Sequence, residues 1–564
     1  MMASTMVGAL GALLMVATVV AVWVGGRGRG TDTDTGMMGS QGGSSRRNPS
    51  PLSGAVLGGL EPAARPGVMT GTAFMVESIP FQSDIELIDG ARETYEVLTS
   101  FVEAAKERID FTAMYWNLIA ENKAGQQRNF TQEQFEAFGC SKGRGLYRAL
   151  EAAAKRGVKL RVLNGVGISS SADSEILAIR EAYPNSVQVR VWNASEWYEG
   201  GIMHQKIWIF DNTRIYLGSA NMDWLSLTQV KEMGVALEGA EGFEPVRDLR
   251  KLFDRWWIWT APGRRSPSRE LEVLWDPSLQ VKRPVPCWEY LGVNYFWSTA
   301  CTNPFPEYLT TAFNAKHPMP LVLNESSAGS FFSCSPPGVC DVPRAVNSMY
   351  AEEVPGRQWD GDSLVKSILS AEKTVCLSVM DFAPASMYRL PFDPVYWPML
   401  NDALLAKVRQ GVRVRLLISR WAHTDPSQWS YLEALLRLAH SCSAPTCVGR
   451  LEVRAFEIPG WRQTEGAQAE FPPFTRVNHA KYIVTDQRFN IGTSNMVWGY
   501  FHNTAGASFN SDHTGLRAQL QAAFDRDWNS HMAVPIPTPQ QLNVATGFIR
   551  STQAEGDSTV ESMV

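Results

Sequence analysis

The chain has 564 residues, 45% of them hydrophobic and 19% charged, with a formal net charge of −5. That length holds two ordinary domains or one large duplicated one, and the apolar content is enough for a substantial core. The negative balance excludes a protein that coats nucleic acid by neutralising phosphate along its whole surface, so any such contact is confined to a local groove.

Met6 to Val24 is an uncharged apolar run of 19 residues. At about 1.5 Å per residue it extends roughly 28 Å, close to the depth of a bilayer core. It lacks the basic start and the short apolar stretch of a signal peptide, so residues 1–26 are expected to form an uncleaved membrane anchor. Arg27, Arg29, Arg46 and Arg47 follow the run and no basic side chain precedes it, a pattern that leaves the body in the cytoplasm. Three N-x-S/T sequons, at Asn129, Asn193 and Asn324, point to a lumenal body instead. Residues 27–72, rich in Gly, Ser, Thr and Pro, read as a flexible stalk.

From residue 73 the pattern is globular. Tyr95, Leu98, Phe101, Val102 and Ala105 have helical spacing, and Ile109 to Trp116 reads as a strand. Leu146 to Lys155 is a second helix, Gly157 breaks it, and Val158 to Asn164 is a strand. Val187 to Trp192 is another strand. A helix ending Phe253-Asp254-Arg255-Trp256-Trp257 closes a first half over 73–270. Residues 271–345, rich in Pro and aromatics, read as a connecting insertion. The order then recurs over 346–540: a helix near Leu364 to Ser370, a strand Thr374 to Phe382, a helix Asn401 to Arg409, a break at Gly411 and a strand Val412 to Ser419. RGVKLRVL at 156–163 lies over QGVRVRLL at 410–417, and Phe524-Asp525-Arg526-Asp527-Trp528 repeats the ending. Two similar halves imply a duplication, and the alternation of strands with helices gives an α/β class. Residues 541–564 read as a loose tail.

The eight cysteines form no CxxC pair and no cluster with histidine, so no structural zinc site is expected. Cys334 with Cys340, and Cys442 with Cys447, are spaced to form disulfides in an oxidising compartment, or else are buried thiols.

Inside each half sits one short string. His204 to Asn221 carries His204, Lys206, Asp211, Gly218, Ser219 and Asn221; His479 to Asn495 carries His479, Lys481, Asp486, Gly492, Thr493, Ser494 and Asn495. Residues two apart in a strand face the same side, so each His is predicted to project with its Lys. An imidazole can attack phosphorus or carry a proton, and an ammonium holds the anionic oxygens. One His cannot attack from one side and protonate a leaving group on the other, so the two halves must converge on one phosphate. The turn residues Ser219, Asn221, Ser494 and Asn495 are candidates for phosphate contact, against plain turn chemistry. Trp116, Trp224, Trp421, His423 and Trp498 sit beyond strand ends or motif turns. Of these, Trp224 and Trp498, directly after the turns, are the best placed to stack on bases. No metal or other cofactor is called for, since no Asp/Glu cluster suggests a two-metal site. The near-symmetric motifs leave open which His is the nucleophile.

The repeated HxKx4D signature, with GSANMDW, SLTQVKE, RVNHAKY, IGTSN and TAGAS, resembles the phospholipase D superfamily, and within it the single-pass lumenal members of the phospholipase D three and four type. The resemblance covers roughly residues 73–535. It implies a duplicated fold of two α-β-α sandwich halves with pseudo-twofold symmetry and one active site at their interface. It also implies a metal-independent 5′-exonuclease on single-stranded DNA or RNA that uses a phosphohistidine, with His204 as nucleophile and His479 as proton donor. Asp211 and Asp486 belong to the motif and are placed with the catalytic set, although tying the turn after the strand suits them better. Glu232, eleven residues after Asn221, stands where simpler family members carry an acid that fixes the nucleophilic His; the same offset in the second half is Gly506. The body is then expected in the lumen of the endomembrane system, from the endoplasmic reticulum and Golgi to a lysosome or vacuole, anchored or released as a soluble form. Partners are single-stranded nucleic acid or phospholipid as substrate, the membrane through the N-terminal helix, and a second copy of the chain. Two rival readings remain: a phospholipase or transphosphatidylase acting on glycerophospholipids, and a catalytically silent scaffold, against which the intact His and Lys of both halves speak.

Overall fold

The computed structural model describes residues 67–122, 126–166, 173–198, 200–264, 271–276, 281–290, 303–341, 356–387, 395–441 and 449–537. The apolar run Met6–Val24, almost all of the stalk, Cys442, Cys447 and the tail lie outside them. No helix among the described residues is long and apolar enough to cross a membrane.

The first half opens with β1 (Thr70–Ser78), so the stretch read as stalk to residue 72 already contains a strand. Then come α1 (Thr94–Ala104), β2 (Arg108–Ala113), α2 (Ser141–Lys155), β3 (Lys159–Gly165), α3 (Ser174–Ala182), β4 (Val187–Trp192), β5 (Ile207–Phe210), β6 (Arg214–Gly218), β7 (Glu232–Gly239) and α4 (Glu244–Trp259). Next come β8 (Met319–Leu323), β9 (Ser326–Ser335), α5 (Asp360–Leu369), β10 (Thr374–Val379), α6 (Met399–Arg409), β11 (Arg413–Ser419), α7 (Ser427–His440) and β12 (Arg450–Phe456). The chain finishes with β13 (Tyr482–Thr485), β14 (Phe489–Gly492), β15 (Gly506–Ser511), α8 (Thr514–Asn529) and β16 (Ala533–Pro535). The predicted breaks after α2 and α6 fall on Gly157 and Gly411, at φ +90° and +92°, a left-handed turn that glycine adopts without a Cβ penalty.

Following hydrogen bonds from strand to strand gives one order: β4-β3-β2-β5-β6-β7-β1, then β8, then β9-β15-β14-β13-β10-β11-β12-β16. Read inward from either end, the two halves run through matching strands, with β1 answering β9 and β7 answering β15. One face of the central parallel strands is apolar and covered by helices: Leu160, Val162, Val414 and Leu416 are fully buried, while Arg161 and Arg415 on the other face are held in ion pairs with Asp110 and Asp525. The residues 319–335, read as part of a connecting insertion, instead form the seam of the sheet. β8 pairs in parallel with β1 and antiparallel with β9. Cys334 and Cys340 form a disulfide at the end of β9, with Cα atoms 6.0 Å apart.

Asp211 and Asp486 lie just past the far ends of β5 and β13, about 16 Å of extended chain beyond each Lys. Asp211 accepts from the backbone N–H groups of Lys106, Glu107 and Arg108 at 3.0, 2.9 and 2.9 Å. Asp486 accepts from those of Glu372, Lys373 and Thr374 at 3.1, 3.0 and 3.0 Å. Each carboxylate therefore fixes the turn that launches β2 or β10, and neither belongs with the catalytic set. Asp486→Asn is expected to lower stability by about 1–3 kcal/mol, since it weakens three charge-assisted bonds. A urea titration would read this as a lower midpoint at constant slope, with turnover per folded molecule unchanged.

Candidate active site

His204–Lys206 and His479–Lys481 lie not in a strand but in the extended residues that enter one. β5 and β13 begin at Ile207 and Tyr482. The Thr112 hydroxyl of β2 ends the ladder there: it accepts from Ile207 N–H at 3.1 Å and donates to the Gln205 carbonyl at 2.8 Å. The alternation still holds. Gln205 points away from the two imidazoles and donates to the Gly506 carbonyl of the other half at 2.9 Å, while His204 and Lys206 project together.

The two halves clasp each other through their backbones. His204 N–H donates to the Ala505 carbonyl at 3.1 Å, and His479 N–H donates to the Lys231 carbonyl at 2.8 Å. Ala505 and Lys231 occupy equivalent places, just before β15 and β7. This clasp brings the imidazoles to 6.1 Å between ring centroids, at 74° to one another. Both imidazoles therefore border one small space, as flanking a single phosphodiester requires. Each Lys is steered by its own His: Lys206 Nζ donates to the His204 carbonyl at 2.9 Å and Lys481 Nζ to the His479 carbonyl at 2.5 Å.

The site is nearly sealed, His204 being 3% and His479 7% exposed. Burial, with Lys206 and Lys481 close by, holds the His204 imidazole well below its ordinary pKa, so it is neutral. Burial also depresses both ammonium groups; Lys206 falls well below the usual range, and Lys481 is pushed down to about 7 despite Glu232 and Asp381.

Two parts of the chain match family models: residues 98–257 match the PLD-like domain of cardiolipin synthase, and residues 293–461 the PLD-like domain of PLD3/4. Phospholipase D Z of Dictyostelium discoideum is 31% identical over 83% of this chain and 92% of its own length. The 5′-3′ exonuclease PLD3 of Rattus norvegicus is 31% identical over 81% of this chain and 79% of its own. Among solved structures, phosphatidylserine synthase of Haemophilus influenzae aligns over 81% of this chain and 91% of its own, at 13% identity and a TM-score of 0.44.

The chain belongs to the phospholipase D superfamily. It is a phosphodiesterase hydrolase of the PLD3-like branch.

Within that family frame the two imidazoles are held differently. His204 Nδ1 lies 2.7 Å from the Thr493 carbonyl, whereas His479 Nδ1 lies 3.0 and 2.9 Å from the two carboxylate oxygens of Glu232. Glu232 was expected on His204 and is found on His479, because the clasp at Lys231 sets the next residue against the opposite half. Burial pushes the His479 imidazole down to about 4, with Glu232 pulling against it. Burial raises Glu232, but His479 and Lys481 more than offset this, so its carboxyl stays below the usual range. No acid fits at Gly506: a Cβ there would lie 2.3 Å from Ser494 Oγ and 2.4 Å from Ser335 Oγ.

The turn residues divide by role. Ser219 Oγ and Thr493 Oγ1 are equivalent, and they accept from the N–H groups of Met233 and Ala507 at 2.9 and 3.1 Å. Ser494 occupies the place of Ala220, with its hydroxyl buried and unbonded. Asn221 Nδ2 donates to the Tyr115 hydroxyl at 3.4 Å and Asn495 Nδ2 to Asp381 Oδ2 at 2.8 Å. Tyr115 and Asp381 were missed by the sequence reading, yet Met114-Tyr115 and Met380-Asp381 are matching positions in the repeat. Tyr500, also missed, sets its ring edge-on against His204 at 4.9 Å.

Trp224 and Trp498 are not stacking platforms. Trp224 is buried against Phe135 at 5.8 Å, and Trp498 stacks on His502 at 4.8 Å within the core. Trp116 is buried as well, but Trp421 is half-buried and His423 exposed.

Glu232→Gln keeps an acceptor for Nδ1 but removes the charge that favours a protonated His479. The expected outcome is a fall in kcat of about ten- to a hundredfold, with the alkaline limb of the pH–rate profile moved to lower pH. An unmoved limb would show that Glu232 does not tune His479.

Proposed function

We propose that this phosphodiesterase is a 5′-exonuclease on single-stranded DNA or RNA that works through a phosphohistidine on His204. The observation that carries the assignment is the unequal dressing of two imidazoles facing one another at 6.1 Å. A neutral His204 that gives its Nδ1–H to the Thr493 carbonyl keeps a lone pair on Nε2 for attack. His479, paired with the Glu232 carboxylate, is the better carrier of a proton. The nucleic-acid substrate is supported by the relatives named as 5′-3′ exonucleases over four-fifths of this chain.

In the first step His204 Nε2 forms a bond to phosphorus, and the bond from phosphorus to the 5′ oxygen of the next nucleotide breaks. His479 gives that oxygen its proton. Lys206 and Lys481 hold the non-bridging oxygens as charge grows on them. In the second step His479 takes a proton from water, the water oxygen bonds to phosphorus, and the bond to His204 breaks. The products are a nucleoside 3′-monophosphate and a shortened strand with a 5′ hydroxyl. The Cys334–Cys340 disulfide and the disulfide-bonded Cys287 favour an oxidising compartment, so we place the body in the lumen of the endomembrane system.

Purified protein is to be offered 5′-hydroxyl oligonucleotide and phosphatidylcholine vesicles in parallel, with chelator present. Oligonucleotide cleavage is expected in chelator. A denaturing alkaline quench, which spares the acid-labile P–N bond, is expected to trap a covalent phosphoenzyme in the parent but not in His204→Ala. Cleavage of the lipid alone would replace this reading with a phospholipase.

The pH dependence follows from three of the depressed groups: His479 must start protonated, and in the empty site burial holds it down to about 4, with Glu232 pulling against this. His204 must be neutral, which holds above a pKa well below 6.5. Lys481 must be charged, which is lost as pH rises through about 7. Activity is therefore expected to peak on the acid side and decline through neutrality; a rate that climbs steadily above about pH 8 would contradict the assignment.

A further inference from the structure

Three aromatic rings outside the catalytic set gather where β11 ends. His423 and Phe474 lie parallel, 4.6 Å apart at 10°; Trp421 sets its ring against His423 at 4.8 Å and 71° and against Phe474 at 6.4 Å. The backbone bends to make this stack. Phe474 has φ +62°, a left-handed conformation uncommon for a bulky residue and typical of positions held for a purpose. The cluster is tied to the reaction centre along both of its strands. Asn478, the neighbour of His479, donates its N–H to the Ser419 hydroxyl at 3.1 Å, two residues before Trp421. Phe474 lies five residues before His479, within about 18 Å even if that segment were fully extended.

The His423 side chain is 39% exposed, and its Nε2 lies 3.0 Å from Glu465 Oε1. With one face on Phe474 and an edge toward Trp421, it leaves its other face to solvent. We propose that this face is a base-stacking subsite for a nucleotide near the scissile phosphate of a single-stranded substrate. The inference rests on the nucleic-acid reading of the site. A cage for a quaternary ammonium headgroup needs rings spread around a gap, but these three touch and leave no gap to fill. The charges around the stack are mixed, with the half-exposed Glu465 carboxylate against His423 and two arginines on the flanking segments. Arg420 and Arg462 both lie over the Trp461 ring, at 5.4 and 4.6 Å, and Glu457 links Arg420 to the indole N–H. Exposed Arg462 is then free to meet a backbone phosphate, while a base of any identity extends the stack.

The full chain is to be assayed on single-stranded oligonucleotides carrying an abasic residue at successive positions from the 5′ end. In the parent, one position is expected to raise KM about tenfold when its base is removed. In His423→Ala, KM for the intact strand is expected to rise by about the same factor, with no further rise for the strand abasic at that position. His423→Phe, which restores a ring but not the contact with Glu465, is expected to return KM to the parental value. The proposal is overturned if His423→Ala leaves the dependence on the base intact, if the KM defects of variant and abasic strand multiply, or if the defect is confined to phosphatidylcholine vesicles. A parent that cleaves no oligonucleotide would instead remove the functional reading itself.

Discussion

The site depends on backbone hydrogen bonds that cross from one half to the other, above all the two made by the histidines themselves. His204 N–H reaches the Ala505 carbonyl and His479 N–H reaches that of Lys231. These bonds fix main chain rather than side chains, so they place each imidazole to within the tolerance of a hydrogen bond. They also determine what each imidazole meets next. The residue after Lys231 is Glu232, whose carboxylate therefore lies beside His479; the residue after Ala505 is Gly506, whose lack of a side chain leaves room for Ser335 and Ser494. A symmetric clasp thus yields an asymmetric site through a single pair of residues. Lys231 is itself locked by a buried ion pair, Nζ to Asp527 at 2.8 Å, which binds α8 to the same strand junction.

The electrostatics of the centre make sense only with an anion in view. Two ammonium groups and two imidazoles share a sealed space, and Glu232 is the carboxylate that touches an imidazole directly. Burial disfavours every one of these cations, which is why Lys206, Lys481 and both histidines titrate low. A phosphodiester entering this space would reverse the balance. Its negative charge favours the ammonium forms and the protonated His479, so His479 is charged most readily when a phosphodiester is present. The cost of holding like charges together in the empty site is returned as attraction for phosphorus oxygens in a medium with little water to screen it.

Much of the fold was legible because duplication doubles each signal. The glycine breaks at 157 and 411, the strands that follow, and the matching helix endings at Phe253 and Phe524 each appear twice. The seam was harder to read. Met319–Leu323 and Ser326–Ser335 carry Pro, Ser, Gly and Cys at strand positions, and their strand character comes from partners far away in sequence, β1 and β15. In the site, the His and Lys pairs were visible from spacing alone. The partner of Glu232 was not, since it is set by the register of one half on the other. Nor was the helix after each turn, which draws Trp224 and Trp498 inward: Asp223 caps residues 224–228 by accepting from Ser226 N–H, turning the indole toward Phe135.

Chemistry and recognition are divided between the conserved geometry of the repeat and the segments that break it. The strand entries carrying His204 and His479 share the same backbone clasp and the same Lys-to-His carbonyl bond in both halves. The longer excursions differ. In the first half, the segment leading to α2 brings Phe130, Phe135 and Phe138 together; in the second, the segment between β12 and His479 brings Phe471, Phe474 and Arg476. These unlike segments meet each other, with Phe138 6.0 Å from Phe471 and Arg128 bonded to the Ala469 carbonyl. A twofold site with symmetric walls would accept a phosphodiester in either direction. Walls that differ, like the unequal dressing of His204 and His479, distinguish the two directions from which a phosphodiester can approach.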